Sequence, residues 1–325
     1  MGQGIAGAGY VMPVSSSTGE VVSRVIDDEA LALVALLRHT EARKSWRAVV
    51  TEVREAGALE VLHRQNPQTL LDSDPVALLL KAARQDLHAW SDLARVLTLF
   101  DDDFPPQLLE VHDVPPLLFA RGHLAARGEA ELGACIVGSR KASPEAVRIA
   151  REVANSLVSM GVAVVSGLAE GIDTAAHQAA LAAGGRTVAV IGTGIDQVYP
   201  AANRQLQQRI EREGLVLSQF WPGSGPTKAS FPMRNATMSA YGMCTLIVAA
   251  GEHSGARIQA RQAVAHGRPL ILTRDVASTT EWGRDLAGSA YDVQVVSDAD
   301  GAVEAIRAVL KRPRQLDELL ADLVQ

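Results

Sequence analysis

Beyond Glu131 the chain settles into a rhythm of short apolar runs separated by longer stretches whose apolar positions recur every three or four residues. The runs at 134–137, 162–166, 187–191, 215–218, 245–249, 270–273 and 293–296 predict strands. Several are continuously apolar rather than alternating, as expected of strands covered on both faces. The stretches at 145–160, 174–183, 204–213 and 257–266 predict the helices between them. Strands with helices in most of the intervals between them imply a doubly wound, mostly parallel α/β sheet. A last helix is expected at 301–310, followed by a short C-terminal amphipathic tail at 311–325.

The first hundred residues follow a different pattern. Residues 1–26, rich in Gly and Ser at the start, read as a flexible tail, and 27–92 as a small helical domain. Asp28 and Glu29 suit the start of a helix through 30–37, and apolar spacing continues through Trp46, Val49, Val50 and Val53. Asp74-Pro75 pairs an N-cap with proline at the first helical position. Proline pairs then punctuate 100–122 and force extended backbone, with a strand expected at 117–120. The domain assignment is therefore 1–26, 27–92, 93–310 and 311–325.

Composition narrows the classes. The 325 residues are 47% hydrophobic, enough for a substantial core, and carry a net charge of −6. A globally basic nucleic-acid coat is excluded, so any polyanion site must be local. Four Trp, four Tyr and five Phe leave little material for base-stacking platforms. Cys135 and Cys244 lie in apolar runs without zinc-ligand spacing and read as buried, reduced thiols. No run of 18 apolar residues and no signal-peptide pattern occurs, so the expectation is a cytoplasmic protein without membrane association.

In open α/β sheets ligands bind beyond the carboxyl ends of the strands, and four such ends are suggestive. Gly138-Ser139-Arg140-Lys141 precedes the cap-and-proline pair Ser143-Pro144, which would aim backbone N–H groups outward beside two cations. That is an anion-binding arrangement, or else an ordinary turn with solvated charges. The second end runs from Gly167 to Gly171 and on to Asp173 and His177, spaced for one helix face. It reads as an acid–base pair or as a cap and a hydrogen-bonded histidine. Gly192 and Gly194 mark the third end, and Ser254-Gly255 the fourth, where Ser254 can cap a helix. Between them Lys228, Phe231, Arg234 and Asn235 follow a Gly/Pro/Ser-rich stretch. On a loop they would offer a ring for a base and cations for phosphate, the alternative being a core Phe at a loop-to-helix junction.

Familiar catalytic signatures are missing. No G-x-x-x-x-G-K-S/T loop occurs, no strand leads into G-x-G-x-x-G, and there is no G-x-S-x-G elbow. The sites suit binding rather than bond-making. The series GSRKAS (138–143), SGLAEGIDTAAH (166–177), GTGIDQVYPAAN (192–203), FPMRN (231–235) and SG (254–255), with the lead-in at 97–124, resembles the DNA-processing protein A family, DprA or Smf. The resemblance covers roughly residues 95–310, and the helical region before it takes the place of that family's small N-terminal domain.

The resemblance implies a Rossmann-like fold in a cofactor-free, non-enzymatic protein that binds single-stranded DNA. It further implies a homodimer that protects incoming strands in natural transformation and helps load a RecA-type recombinase. Arg140 and Arg234 would line the strand pocket, with Gly138, Ser139 and Asn235 shaping it; Lys141 and Lys228 are added on charge and position. The chain departs from the family pattern at Ala236, where a third pocket cation is usual, and at 254–260, where S-G-S/T-L-x-T-A becomes SGARIQA. Ala249 or Ala250 replaces an acidic residue, and few residues follow Leu310 for the winged helix that some members append. These departures motivate an alternative, a nucleotide-ligand-binding sensor of the same superfamily. A phosphoribohydrolase would need P-G-G-x-G-T and a catalytic Glu, for which Glu252 is the one stray candidate.

Overall fold

The computed structural model describes residues 10–15, 21–39, 45–67 and 74–323. They form two compact units: one runs to Phe104 and adds Asp113–Ala120, the other takes Pro105–His112 and everything from Arg121. The division thus falls in the proline-punctuated segment rather than at residue 92.

The first unit contains strands β1 (Tyr10–Ser15) and β2 (Val21–Ile26), paired antiparallel within the segment expected as a tail. Four helices follow: α1 (Asp28–Arg38), α2 (Trp46–Ala56), α3 (Ala58–Gln65) and α4 (Pro75–Ser91). Asp27, one residue ahead of the expected pair, caps α1 by accepting from Ala30 N at 2.8 Å. Ala30 through Leu36 are buried on every side of that helix, so it forms the unit's centre. Asp74 caps α4 as its local sequence requires, accepting from Val76 N and Ala77 N. Strand β3 (Arg95–Thr98), which the sequence does not signal, pairs antiparallel with β4 (Leu117–Gly122).

The second unit is the doubly wound fold. Its strands are β5 (Gly133–Gly138), β6 (Ala163–Ser166), β7 (Thr187–Val190), β8 (Leu215–Ser218), β9 (Cys244–Ala249), β10 (Leu270–Thr273) and β11 (Val293–Val296). They are parallel throughout, in the order β11-β10-β9-β5-β6-β7-β8. Every expected strand of this region is present. Between them lie α5 (Pro144–Ser159), α6 (Ile172–Ala182), α7 (Arg204–Glu213), α8 (Ser230–Tyr241), α9 (Gly255–Ala265), α10 (Arg274–Thr279) and α11 (Glu281–Ala287). The helix α12 (Ala299–Leu323) runs on past residue 310, where a tail was expected.

Alternate strand residues such as Ala134, Ile136, Val164, Leu246 and Val248 form a single core with α5, α6 and α12. Cys135 points to the opposite face and donates its S–H to Met238 O of α8 at 3.2 Å. Both cysteines are buried and free. The chain runs outward from β5 to β8, then returns to place β9 on β5's other side. The carboxyl ends of β5 and β9 therefore bracket the topological switch point, where such sheets open a crevice.

Candidate nucleic-acid interface

A cleft of about 540 Å³ lies at this switch point. Its wall from β5 is Gly138, Ser139, Arg140 and Lys141, and its wall beyond β9 is Gly251, His253, Ser254 and Gly255. Ser143 caps α5 by accepting from Ala146 N at 3.2 Å, with Pro144 at the first helical position, so it anchors the loop without lining the cleft. Two loop amides are engaged: Ser139 N donates to Ala249 O at 2.8 Å and Lys141 N to Ser139 Oγ at 3.1 Å. The turn therefore offers fewer free donors than the sequence implies, and its anion affinity falls to the exposed Arg140 and Lys141 side chains. Ser254 caps α9 as expected, accepting from Ala256 N at 3.2 Å.

The segment bearing Phe231 is a helix, not a loop. Thr227 and Ser230 exchange hydrogen bonds (Ser230 N to Thr227 Oγ1, 3.0 Å; Thr227 N to Ser230 Oγ, 3.1 Å), closing the entry to α8 as a capping box does. Pro232 is tolerated in the first turn, where N–H groups have no helical partner. Phe231 is half-buried, with the Arg140 guanidinium 5.8 Å from its ring centroid and Tyr199 at 5.7 Å on an interplanar angle of 47°. Beneath this group a second hollow of about 90 Å³ is lined by Gly167, Glu170, Gly192, Tyr199 and Pro200. Arg140, Phe231 and Arg234 border both hollows. Tyr199, 39% exposed, belongs to the Tyr-Pro pair that follows the third strand end in sequence, where nothing assigns it a stacking role.

Arg234 is not the exposed cation that its motif suggests. It is only 7% exposed, its Nη1 donates to Gly167 O and, at 2.9 Å, to Val190 O, and its Nε donates to Asn235 Oδ1 at 3.0 Å. It thereby ties α8 to the carboxyl ends of β6 and β7. Gly167 is required for this: a Cβ there would stand 1.9 Å from Arg234 Nη1. Gly171 serves the neighbouring loop. Its φ of +80° and its would-be Cβ, 2.3 Å from Ser139 O, let the backbone press against the Ser139-Arg140 turn.

Beside Arg234 lie Asp173 and His177, both buried. Asp173 does not cap α6. Its Oδ2 accepts from Gly167 N at 3.0 Å and Ala169 N at 3.4 Å, closing the loop ahead of the helix. Burial pushes its carboxyl above the ordinary range, while Arg234 and the two N–H groups pull the other way. His177 Nδ1 lies 2.7 Å from Thr187 Oγ1, and burial together with the Arg234 charge pushes the imidazole down to about 3. It is a neutral interior histidine, so the hydrogen-bonded alternative holds over the acid–base pair. Burial likewise depresses Arg234, with Asp173 countering.

Three further sequence candidates lie off the cleft. Gly194 N donates to Ser224 O at 2.8 Å, so this glycine holds the 221–224 loop. Lys228 is exposed in the segment before α8 but is not part of either lining. Glu252 accepts from Glu281 N at 2.8 Å and lies 3.5 Å from Arg257, a structural use that leaves it outside the cleft. Conversely, His253, Ile258 and Gln259 line the cleft, although the sequence shows them only as part of the fourth strand end and of the departure at 254–260, with no role of their own.

A parallel sheet with a cationic cleft at its switch point and a ring at the cleft's rim defines a Rossmann-like binding protein. The family is shown by comparison: residues 95–304 match the model of DNA recombination-mediator protein A, and the chain belongs to that family. It is 42% identical over 176 residues to the DNA processing protein DprA of Streptococcus pneumoniae, covering 54% of this chain and 61% of that protein. Identity to Protein Smf of Synechocystis sp. is 41% over 178 residues, 54% of this chain and 44% of that one. The chain thus spans about half the length of the curated relatives it matches. Among solved structures, the X-ray structure of DNA processing protein A from S. pneumoniae superposes with a TM-score of 0.65 at 26% identity, over 86% of this chain and 98% of that one. The Helicobacter pylori protein, described for its single-stranded DNA binding mode, gives 0.57 at 25% identity, over 67% and 97%. Among the described residues no helix is long and apolar enough to cross a membrane.

Proposed function

We propose that this chain binds single-stranded DNA in the switch-point cleft and acts in recombination as a non-enzymatic mediator. The observation that carries the reading is the juxtaposition of exposed Arg140 and Lys141 with the Phe231 ring at one cleft mouth. Cations there take phosphates, while the ring and Tyr199 give a base a stacking face that duplex DNA does not present. In this reading the protein works as a homodimer in the cytoplasm, protects strands taken up in transformation and helps load a RecA-type recombinase. It uses no cofactor. Two protomers would double a footprint that one cleft keeps to a few nucleotides.

Fluorescence anisotropy with single-stranded and duplex oligonucleotides across a salt series tests this. Two free cations predict a shallow dependence, log K falling with log salt at a slope of roughly −1.4 for single strands. Arg140→Ala should halve that slope and weaken binding. Equal affinity for duplex and single strands, or no binding at low salt, would remove the reading.

A further inference from the structure

Gln259 stands one turn into α9, on the stripe of buried residues that includes Ala256, Ala260 and Ala263. It lines the cleft and is 1% exposed. Neither Oε1 nor Nε2 of its amide finds a hydrogen-bond partner among the described residues. Burying a polar group unpaired is costly, whereas Met would fill the same volume without that cost. A side chain of this kind in the wall of a binding cleft calls for a partner supplied from outside the fold.

The surroundings indicate what that partner is. Arg140 and Lys141 hold the mouth, and the N-terminus of α9 opens onto the same cleft one turn before Gln259. Phosphate is thus favoured at the rim, while the neutral amide further in offers hydrogen bonds rather than charge. An amide presents one donor and one acceptor side by side, matching the N6 amine and N7 of adenine. Thymine offers a methyl group and a carbonyl oxygen on the corresponding edge, and its one donor, N3–H, lies on the Watson–Crick edge, so adenine is favoured where the base enters by its N6/N7 edge.

We propose that Gln259 is a specificity-determining residue: it reads the base edge of one nucleotide that enters the cleft, and it favours adenine over thymine. The inference rests on the strand-binding reading above but goes beyond it, since phosphate contacts alone are indifferent to sequence. The amide turns to meet the base as it enters, and the strand's backbone stays at Arg140 and Lys141.

The test compares oligothymidine with a strand of equal length carrying a single central adenine, by anisotropy, for the wild type and Gln259→Met. The wild type should bind the adenine-bearing strand about five-fold more tightly or better, and Gln259→Met should bring the two strands to within about two-fold. Without DNA, Gln259→Met should melt no lower than the wild type, because the amide it removes has no partner in the fold. Equal wild-type affinity for both strands overturns the inference and leaves strand binding intact. So does a preference that survives in Gln259→Met, or a clear loss of stability, which would mean that the amide is bonded within the protein. Binding to neither strand removes the parent reading together with this one.

Discussion

Replacing Arg234 by Met separates two roles that its motif runs together. If the guanidinium is a clamp, the substitution removes two hydrogen bonds to backbone carbonyls, Gly167 O and Val190 O, and one to Asn235. Hydrogen bonds from a charged donor contribute about 1.5–3 kcal/mol each. Asp173 would also lose the one charge that offsets its burial, which adds to the loss. The terms overlap, and the variant recovers the cost of burying the guanidinium, so a net loss of about 3–5 kcal/mol follows. At roughly 2–4 °C per kcal/mol for a unit of this size, the melting midpoint should fall by about 6–20 °C. Arg140→Ala is the control: its side chain is exposed and touches the fold through the Phe231 ring, so it should shift stability by less than about 0.5 kcal/mol while weakening DNA binding. Circular-dichroism melts and anisotropy below both midpoints provide the two readouts. An Arg234→Met protein that melts with the wild type yet fails to hold single strands would refute the clamp and return Arg234 to direct phosphate contact.

Phe231→Ala should weaken single-strand binding by about five- to 150-fold, the equivalent of one lost base stack at 1–3 kcal/mol, with little change in salt slope; a reduced slope instead would assign Phe231 to positioning Arg140. His177 titrates near 6.5 when unfolded and at about 3 when folded, so the neutral form is favoured by folding. Its stabilising contribution is complete above pH 6.5 and is lost as pH falls toward 3, at up to about 1.4 kcal/mol per unit. His177→Asn should flatten the acid limb of the stability curve between pH 6 and 4 relative to the wild type, and parallel limbs would count against it. Burial pushes the Cys135 thiol up to about 12 and raises Cys244 as well, so neither should react with a thiol reagent in the native state and both should react in denaturant; rapid native labelling would contradict their burial.

The parts of the fold that follow from local chemistry are those the sequence makes legible. Short, mostly apolar runs mark the strands from β5 to β10, because burial on both faces leaves little polar alternation; the edge strand β11, with Gln294 and an exposed Val295, is marked by its valines alone. Asp74, Ser143 and Ser254 announce their helices because a cap acts within three residues of itself. Helix α8 escapes notice because Pro232 and the Gly/Pro/Ser stretch before it look like a loop, and its entry bond between Thr227 and Ser230 lacks the usual Glu or Gln. Strands β1 and β2 escape because a Gly/Ser-rich start outweighs six-residue runs. The fate of Arg234 depends on Gly167 and Val190, 67 and 44 positions away. Motif spacing places such a residue at the site without telling whether its charge faces the ligand or the backbone. Gln259 is partly legible: a lone polar residue beside Ala256, Ala260 and Ala263 marks an interior position, but only the structure brings it to the cleft.

The net charge of −6 acquires a different meaning once the ion pairs are placed. Arg148 lies between Glu145 and Glu152, Arg209 pairs with Glu213, Arg186 with Glu131, Arg268 with Glu110 and Arg257 with Glu252. These cations are neutralised where they stand and add little to the field that a polyanion meets. Among the described residues no carboxylate lies within 4.0 Å of Arg140 or Lys141, so their charge stays available at the cleft mouth. The acidic remainder disfavours long-range attraction, which is screened beyond about 8–10 Å at physiological salt in any case. On the proposed reading a strand would be held by short-range contacts: two phosphates at the loop, a base against Phe231 and a base edge at Gln259. Such a site discriminates by what it can stack and pair rather than by charge density. If so, an acidic protein would hold single strands and leave the more densely charged duplex unbound, which is the contrast the anisotropy series reads.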